Sequence, residues 1–347
     1  MSYPMTNLTL PYPSLSQWHD LYTAVNQFAA LAPWRWLKTE QLIGIQPTNA
    51  SEPNFVSLEV AEDDTPNVLV YLGADGLYRW RHLQSQPLPW RPEQILNVPH
   101  LIVSWESRQT LTSRDRAIIQ ELGLRYRGRQ AWPMLRSTQP GYAPWYLTAV
   151  EADLLTITLQ QTAVLARTLQ GNGYPTPPQP DHLLVQIPGP TPTDPWQTTW
   201  QQIAPPAPRQ YRIPIDPLAR AHLHETPQTM SIVDIGFYWM PSPVGGRNER
   251  PSFPYSLILM EPSTGLILGH ELMVADPTPV EMWSSIPLRL IQALAKINLK
   301  PKTLRTADGR LQPFLNIIAQ EYDMDVKIVP DLPQLDALQR GLIGFVR

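Results

Sequence analysis

No cysteine occurs anywhere in the chain, which removes disulfides, thiolate zinc sites, iron–sulfur clusters and a cysteine nucleophile together. A cysteine-free chain suits a reducing compartment, and a cytoplasmic setting is the expectation. Charge is also scarce. Only 16% of residues are charged and the formal net charge is −3, so the chain as a whole exerts no pull on nucleic acid or an anionic membrane, and any such binding has to be local. Long apolar runs are missing too. Nothing approaches the roughly 18 residues of a membrane-spanning helix, and the opening MSYPMTNLTLPYPSLSQW has neither the basic start nor the apolar stretch of a secretory signal. GxGxxG, Walker A and GxSxG patterns do not occur, which takes away nucleotide binding by those devices and serine-hydrolase chemistry. No cofactor, no metal and no membrane partner is expected.

What the chain does have is proline, 40 in 347 residues, beside a hydrophobic fraction of 43%. That apolar share is enough for real cores, while the prolines point to extended connections and short elements rather than coiled coils or solenoids. The length suits two domains of the usual size. No internal repeat is found.

In the N-terminal half, Leu15, Trp18, Leu21, Tyr22, Val25, Phe28 and Ala29 recur at helical spacing behind a Ser14–Gln17 capping box, and Pro33 ends the pattern. VSLEV at 56–60 reads as a strand, and NVLVYLGADGLYRW at 67–80 as a hairpin turning at Gly73 to Gly76. LIVSW at 101–105 is a further strand, followed by a helix that starts with Thr112 and Asp115 and stops at Gly123. LRYRGRQAW then reads as a short strand with Arg125, Arg127 and Arg129 on one face, and Thr148 with Glu151 caps a helix to about Leu169. The N-terminal domain is expected to be α+β over residues 1–170. At Gly171 the composition changes to GNGYPTPPQP, and residues 171–230 form a proline-rich connector, either a tether or part of the second domain. Within it HLLVQI suggests a strand, and Trp196 and Trp200 a short helix.

The C-terminal domain, 231–347, is clearer. SIVDIGFYWM, YSLILME and GLILGHELMV are three strands. A helix capped by Thr278, Pro279 and Glu281 and bent at Pro287 follows, then KTLRTA, a helix, DVKIV and a closing helix near Leu335 to Leu342. The order is β, β, β, α, β, α, β, α.

Several stretches look familiar. PWRWL, VYLGADGLY, LIVSWESR and above all RGRQAWPMLRSTQPGYAPWYLT resemble a bacterial domain of unknown function. SIVDIGFYWMPSPV, RPSFPYSLILMEPSTGLILGHEL and KPKTLRTADGRL resemble a second such domain that often follows the first. The strand order of the second domain is similar to the α/β ribonuclease H-like fold of ribonucleases, integrases and transposases. Those enzymes set acids on the first strand, near the first helix, after the fourth strand and on the last helix, where they hold two divalent metals for phosphodiester chemistry. The resemblance puts Asp234, Glu281, Asp308 and either Asp331 or Asp336 at those positions.

Each acid also has a structural role open to it. Glu281 suits the capping box of Thr278, and Asp308 and Asp331 suit N-caps, while Asp234 has no such role and would face solvent on an alternating strand. Trp132, Arg136, Tyr142 and Trp145 in WPMLRSTQPGYAPW are the candidate binding residues, forming either a packed corner or a groove for a peptide or ligand. Arg125, Arg127 and Arg129 offer a local nucleic-acid surface or simply a solvated face. His222 and His224 lack a third ligand, so no zinc site is expected. The reading that follows is a non-enzymatic interaction or regulatory protein with a protein partner and a catalytically inactive ribonuclease H-like module. The alternative is a magnesium- or manganese-dependent nuclease or phosphoryl transferase using Asp234 and Asp308.

Overall fold

A computed structural model describes residues 11–344, apart from 49, 62, 192, 247 and 248. The described chain divides into two compact units, residues 11–140 with 144–207, and residues 141–143 with 208 onward.

In the first unit, α1 (Leu15–Leu31) is followed by β1 (Ile43–Ile45), β2 (Asn54–Val60), β3 (Pro66–Tyr71), α2 (Gly73–Gln84), α3 (Pro92–Leu96), β4 (His100–Glu106), α4 (Ser113–Glu121), β5 (Trp132–Thr138), α5 (Ala149–Leu169), β6 (His182–Ile187) and β7 (Gln197–Gln202). The seven strands form one sheet in the order β5-β4-β3-β2-β1-β6-β7, in which β1 and β6 are parallel and the other neighbours antiparallel. Side chains of a strand alternate between faces. Val68 and Val70, Leu101 and Val103 accordingly meet Leu21, Val25 and Phe28 of α1 and Leu155 and Leu159 of α5 on one face. Phe55 and Tyr71, with Leu183 and Val185, meet Leu77, Trp80 and Leu83 of α2 on the other. The boxes Ser14–Gln17, Thr112–Asp115 and Thr148–Glu151 cap α1, α4 and α5 as the sequence indicates.

Four local expectations differ. The segment 67–80 is a strand and then a helix, not a hairpin. Gly73 takes φ +60 to turn the chain, and Asn54 and Glu52 accept the Gly73 and Ala74 N–H groups at 3.1 and 2.9 Å, capping α2 from a distant segment. Ala74, Leu77, Trp80 and Leu83, three apart and all buried, form the apolar face of that helix. The arginine-bearing stretch 124–131 is a loop, and the strand begins only at Trp132, with Pro133 tolerated because β5 lies at a sheet edge. Trp200 sits in strand β7, which pairs with β6, rather than in a helix with Trp196. Lastly, β6 and β7 join the first sheet, so the first unit runs to residue 207 instead of ending near Gly171.

The second unit contains α6 (Pro217–Glu225), β8 (Gln228–Trp239), β9 (Tyr255–Met260), β10 (Ile267–Met273), α7 (Pro279–Ser284), α8 (Ile286–Lys296), β11 (Lys300–Thr306), α9 (Gln312–Tyr322), β12 (Asp325–Ile328) and α10 (Pro333–Gly344). From β8 onward the elements follow the order read from the sequence. The expected bend at Pro287 is a break between α7 and α8 at Ser285. The five-stranded sheet has the order β10-β9-β8-β11-β12; β9 is antiparallel to both its neighbours, and β8, β11 and β12 are mutually parallel. Val233, Ile235 and Phe237 face α8 and α9 through Leu290, Leu294, Phe314, Leu315 and Ile318. On the opposite face Ile258 and Met260 pack against Leu332 and Leu335 beside α10. Asp234, Gly236 and Tyr238 of β8 share that second face.

Candidate functional site

The site begins with the register of β8 on β11, which sets Asp234 directly across from Arg305. Asp234 is 4% exposed, so it does not point at solvent. Arg305 donates from Nε to Oδ1 at 2.7 Å and from Nη2 to Oδ2 at 2.9 Å, a two-bond clasp that matches guanidinium to carboxylate. These bonds raise the Arg305 pKa above its ordinary value, with partial burial opposing them. Four strand positions on from Asp234, Tyr238 folds its ring back over Gly236; a Cβ there would lie 2.7 Å from Cζ and 2.8 Å from the hydroxyl oxygen.

Burial first, and then the charges of Asp336, Asp234 and Asp308, push the Tyr238 hydroxyl well above its usual range. The charges of three acids named from the sequence thus act on one tyrosine hydroxyl. Asp308 follows β11 and caps the turn at Gly309 as foreseen, its carboxylate accepting the Arg310 N–H at 3.0 Å. It also holds the Arg310 side chain through Nε at 2.9 Å and Nη2 at 2.7 Å. The guanidinium of Arg310 in turn lies 5.4 Å from the Trp283 ring centre. Asp336, on the first turn of α10, accepts the Leu332 N–H.

Glu281 and Asp331 are placed differently. Glu281 is exposed; Thr278 caps the helix by accepting the Val280 and Glu281 N–H groups and donates its hydroxyl to the Glu281 carboxylate, in place of the reciprocal Thr278 N–H bond of a capping box. It neighbours Tyr142, whose hydroxyl is pushed up by burial and Asp276, with Arg250 opposing and Glu281 adding. Asp331 is exposed.

A divalent metal needs free carboxylate oxygens, and Asp234 and Asp308 each already hold a guanidinium. Among the described residues no group of three or more histidine, cysteine, aspartate or glutamate side chains is placed to hold a metal ion. The donor set does not fit a two-metal centre. His222 and His224 lie on α6, where that spacing splays them: His222 bonds Asn298 at 2.6 Å, and His224 lies 3.4 Å from Glu321.

The other candidates are divided between the units, with Trp132, Arg136 and Trp145 in the first and Tyr142 in the second. Arg136 is partly buried in the first unit against Asp115, with bonds of 2.9 and 2.6 Å. Burial alone would raise the Asp115 carboxyl, but the bonds and charge of Arg136, helped by Thr112, hold it below the usual range. Trp145 pairs its backbone with Ser137 and sets its ring against Tyr146. Trp132 carries Arg108 over its ring and meets Tyr126 edge-on. Tyr142 belongs to the second unit, bridging to Ser252 and donating its hydroxyl to the Ala275 and Pro277 carbonyls. The residues that sequence reasoning missed are Arg305, Tyr238 and Arg310. A strand register, not a motif, makes Arg305 the partner of Asp234.

Residues 18–185 match a family described as a domain of unknown function, DUF7309, and residues 219–343 match a second, DUF6930. No curated protein matches the chain. Among the described residues no helix is long and apolar enough to cross a membrane. The chain is a two-domain protein whose N-terminal part is similar to DUF7309 and whose C-terminal part is similar to DUF6930.

Proposed function

We propose that the second unit is a ribonuclease H-like module without metal-dependent phosphodiester chemistry, and that the chain works as a cytoplasmic interaction or regulatory protein. The fold part of this reading is supported by the sheet order third-second-first-fourth-fifth, in which β9 alone runs against the other strands. It is also supported by acids on the first strand, after the fourth and on the last helix. The interaction part has support in β10, an edge strand flanked by exposed Leu266 and itself exposing Ile267 and Leu272, the kind of surface a protein partner covers.

One observation carries the loss of catalysis: Arg305 occupies both oxygens of Asp234, the acid of the first strand. A cation fixed there supplies the charge balance that a metal would otherwise bring, and expelling it would leave a buried ion without its partner. The rival reading, a magnesium- or manganese-dependent nuclease, draws on the charges of Asp234, Asp308 and Asp336 acting on Tyr238.

Calorimetric titration of magnesium and of manganese into the full chain separates the two, with Asp234→Asn and Asp308→Asn as comparisons and cleavage of single- and double-stranded DNA and RNA as the second readout. The proposal expects no binding heat and no cleavage. Binding that both substitutions abolish, together with cleavage, would overturn it.

A further inference from the structure

The first unit carries a basic surface that the second unit's chemistry does not use. Between Arg108 and Arg136 the sequence has seven arginines against two acids, Asp115 and Glu121, in a chain whose net charge is −3. Arg136 is held by Asp115, and Arg114 lies between the rings of Tyr12 and Tyr146 at 3.6 and 4.4 Å. The loop from α4 to β5 treats its arginines in another way. Leu124 and Tyr126 pack against the core, and the Tyr126 hydroxyl donates to Asn26 at 2.9 Å. The alternate residues Arg125 and Arg127, and Arg129 after them, are exposed and have no acidic partner among the described residues. Asp63, which meets this loop at Gln130, is occupied by bonds from Gln130 and the Thr65 N–H. Arg108, also exposed, sits 5.8 Å from the centre of the Trp132 ring instead of on a carboxylate.

We propose that Arg125, Arg127 and Arg129, with Trp132 and Arg108 beside them, bind the phosphate backbone of single-stranded nucleic acid. A loop anchored through Leu124 and Tyr126 holds three guanidinium groups within five residues of one another, without the entropy cost of ordering a free tail. Arginine forks suit phosphate oxygens, and guanidinium and indole planes give unpaired bases a surface to stack on. An acidic protein segment would use the charges but leave the aromatic planes idle, which favours nucleic acid.

The test is fluorescence anisotropy of the full chain with a labelled oligo-dT of about twenty nucleotides, over a salt series. The variants are Arg125→Ser/Arg127→Ser/Arg129→Ser and, with less disturbance to the loop, Arg127→Glu alone. Arg35→Ser, an exposed arginine outside the loop, is the control, and circular dichroism checks folding. Binding should weaken about tenfold or more in the triple variant, and its salt slope should fall by about 2, from three lost phosphate contacts at roughly 0.7 each. Arg35→Ser should change neither. The proposal is overturned if the native chain does not bind, if Arg35→Ser weakens binding as much as the triple variant, or if polyglutamate of matched charge binds as tightly as oligo-dT. The last result would assign the loop to an acidic protein.

Discussion

Replacing Arg305 with methionine keeps the aliphatic stem and deletes the cation over Asp234. The Asp234 side chain is 6% exposed, so its carboxylate would stay buried with its counter-charge gone, and that of Arg305 is 29% exposed. Breaking a buried pair from one side costs about 3–5 kcal/mol. Water can reach the place the guanidinium leaves, however, and screening moves the expectation down to about 2–3 kcal/mol. For a unit of this size that is a drop of roughly 5–10 °C in its transition. Asp234→Asn/Arg305→Met removes both charges and should lose less than the two single variants together, with a coupling of about 2 kcal/mol. Differential scanning calorimetry of the full chain is the assay, since two units can unfold separately and the first serves as an internal reference. If Arg305→Met costs less than about 1 kcal/mol and the double variant is additive, the clasp does not hold the acid in place and the argument against a metal loses its footing.

Further expectations concern other pairs. Asp115 has its folded pKa held below the unfolded value of about 3.9, so its contribution is present above that pH and lost as pH falls through the folded value. Arg136→Met should cost about 3 kcal/mol at pH 7 in urea unfolding and flatten the acid limb of the first unit; an unchanged acid limb would contradict the pairing. Glu59 is the opposite case: burial raises its pKa, against the bond from Tyr71. Its contribution is complete below about 4.3 and fades as pH rises through the folded value, so Glu59→Gln should raise the transition temperature at pH 8 and not at pH 4. Equal effects at both pH values would contradict that. Gly236→Ala should displace the Tyr238 ring and cost about 1–3 kcal/mol by overpacking, and a loss below about 0.5 kcal/mol would mean the ring yields freely.

The parts of the fold that were legible are those written in local sequence. Caps at Ser14, Thr112, Thr148 and Thr278 bring donor and acceptor within three residues of one another, and the alternation through Val233, Ile235 and Phe237 marks a strand with one apolar face. Gly73 to Gly76 misled because a DG pair serves a hairpin turn and a helix start alike, and the capping groups, Asn54 and Glu52, come from some twenty residues away. The proline-rich passage after Gly171 looked like a border because proline is common in linkers, yet β6 finds its partner in β1, across more than a hundred residues. The acids of the second unit were nameable one by one. Whether they stood free depended on Arg305, and its place opposite Asp234 is a long-range register that no spacing encodes.

The charge balance around Tyr238 has a consequence for encounter. Asp234 and Asp308 are each paired with a guanidinium, Arg305 and Arg310, so neither presents a bare charge to an approaching molecule. Such paired acids draw a cation in less strongly than free carboxylates would, and ionic strength should change its rate of arrival less. Recognition there has to come from shape and contact once the two surfaces meet.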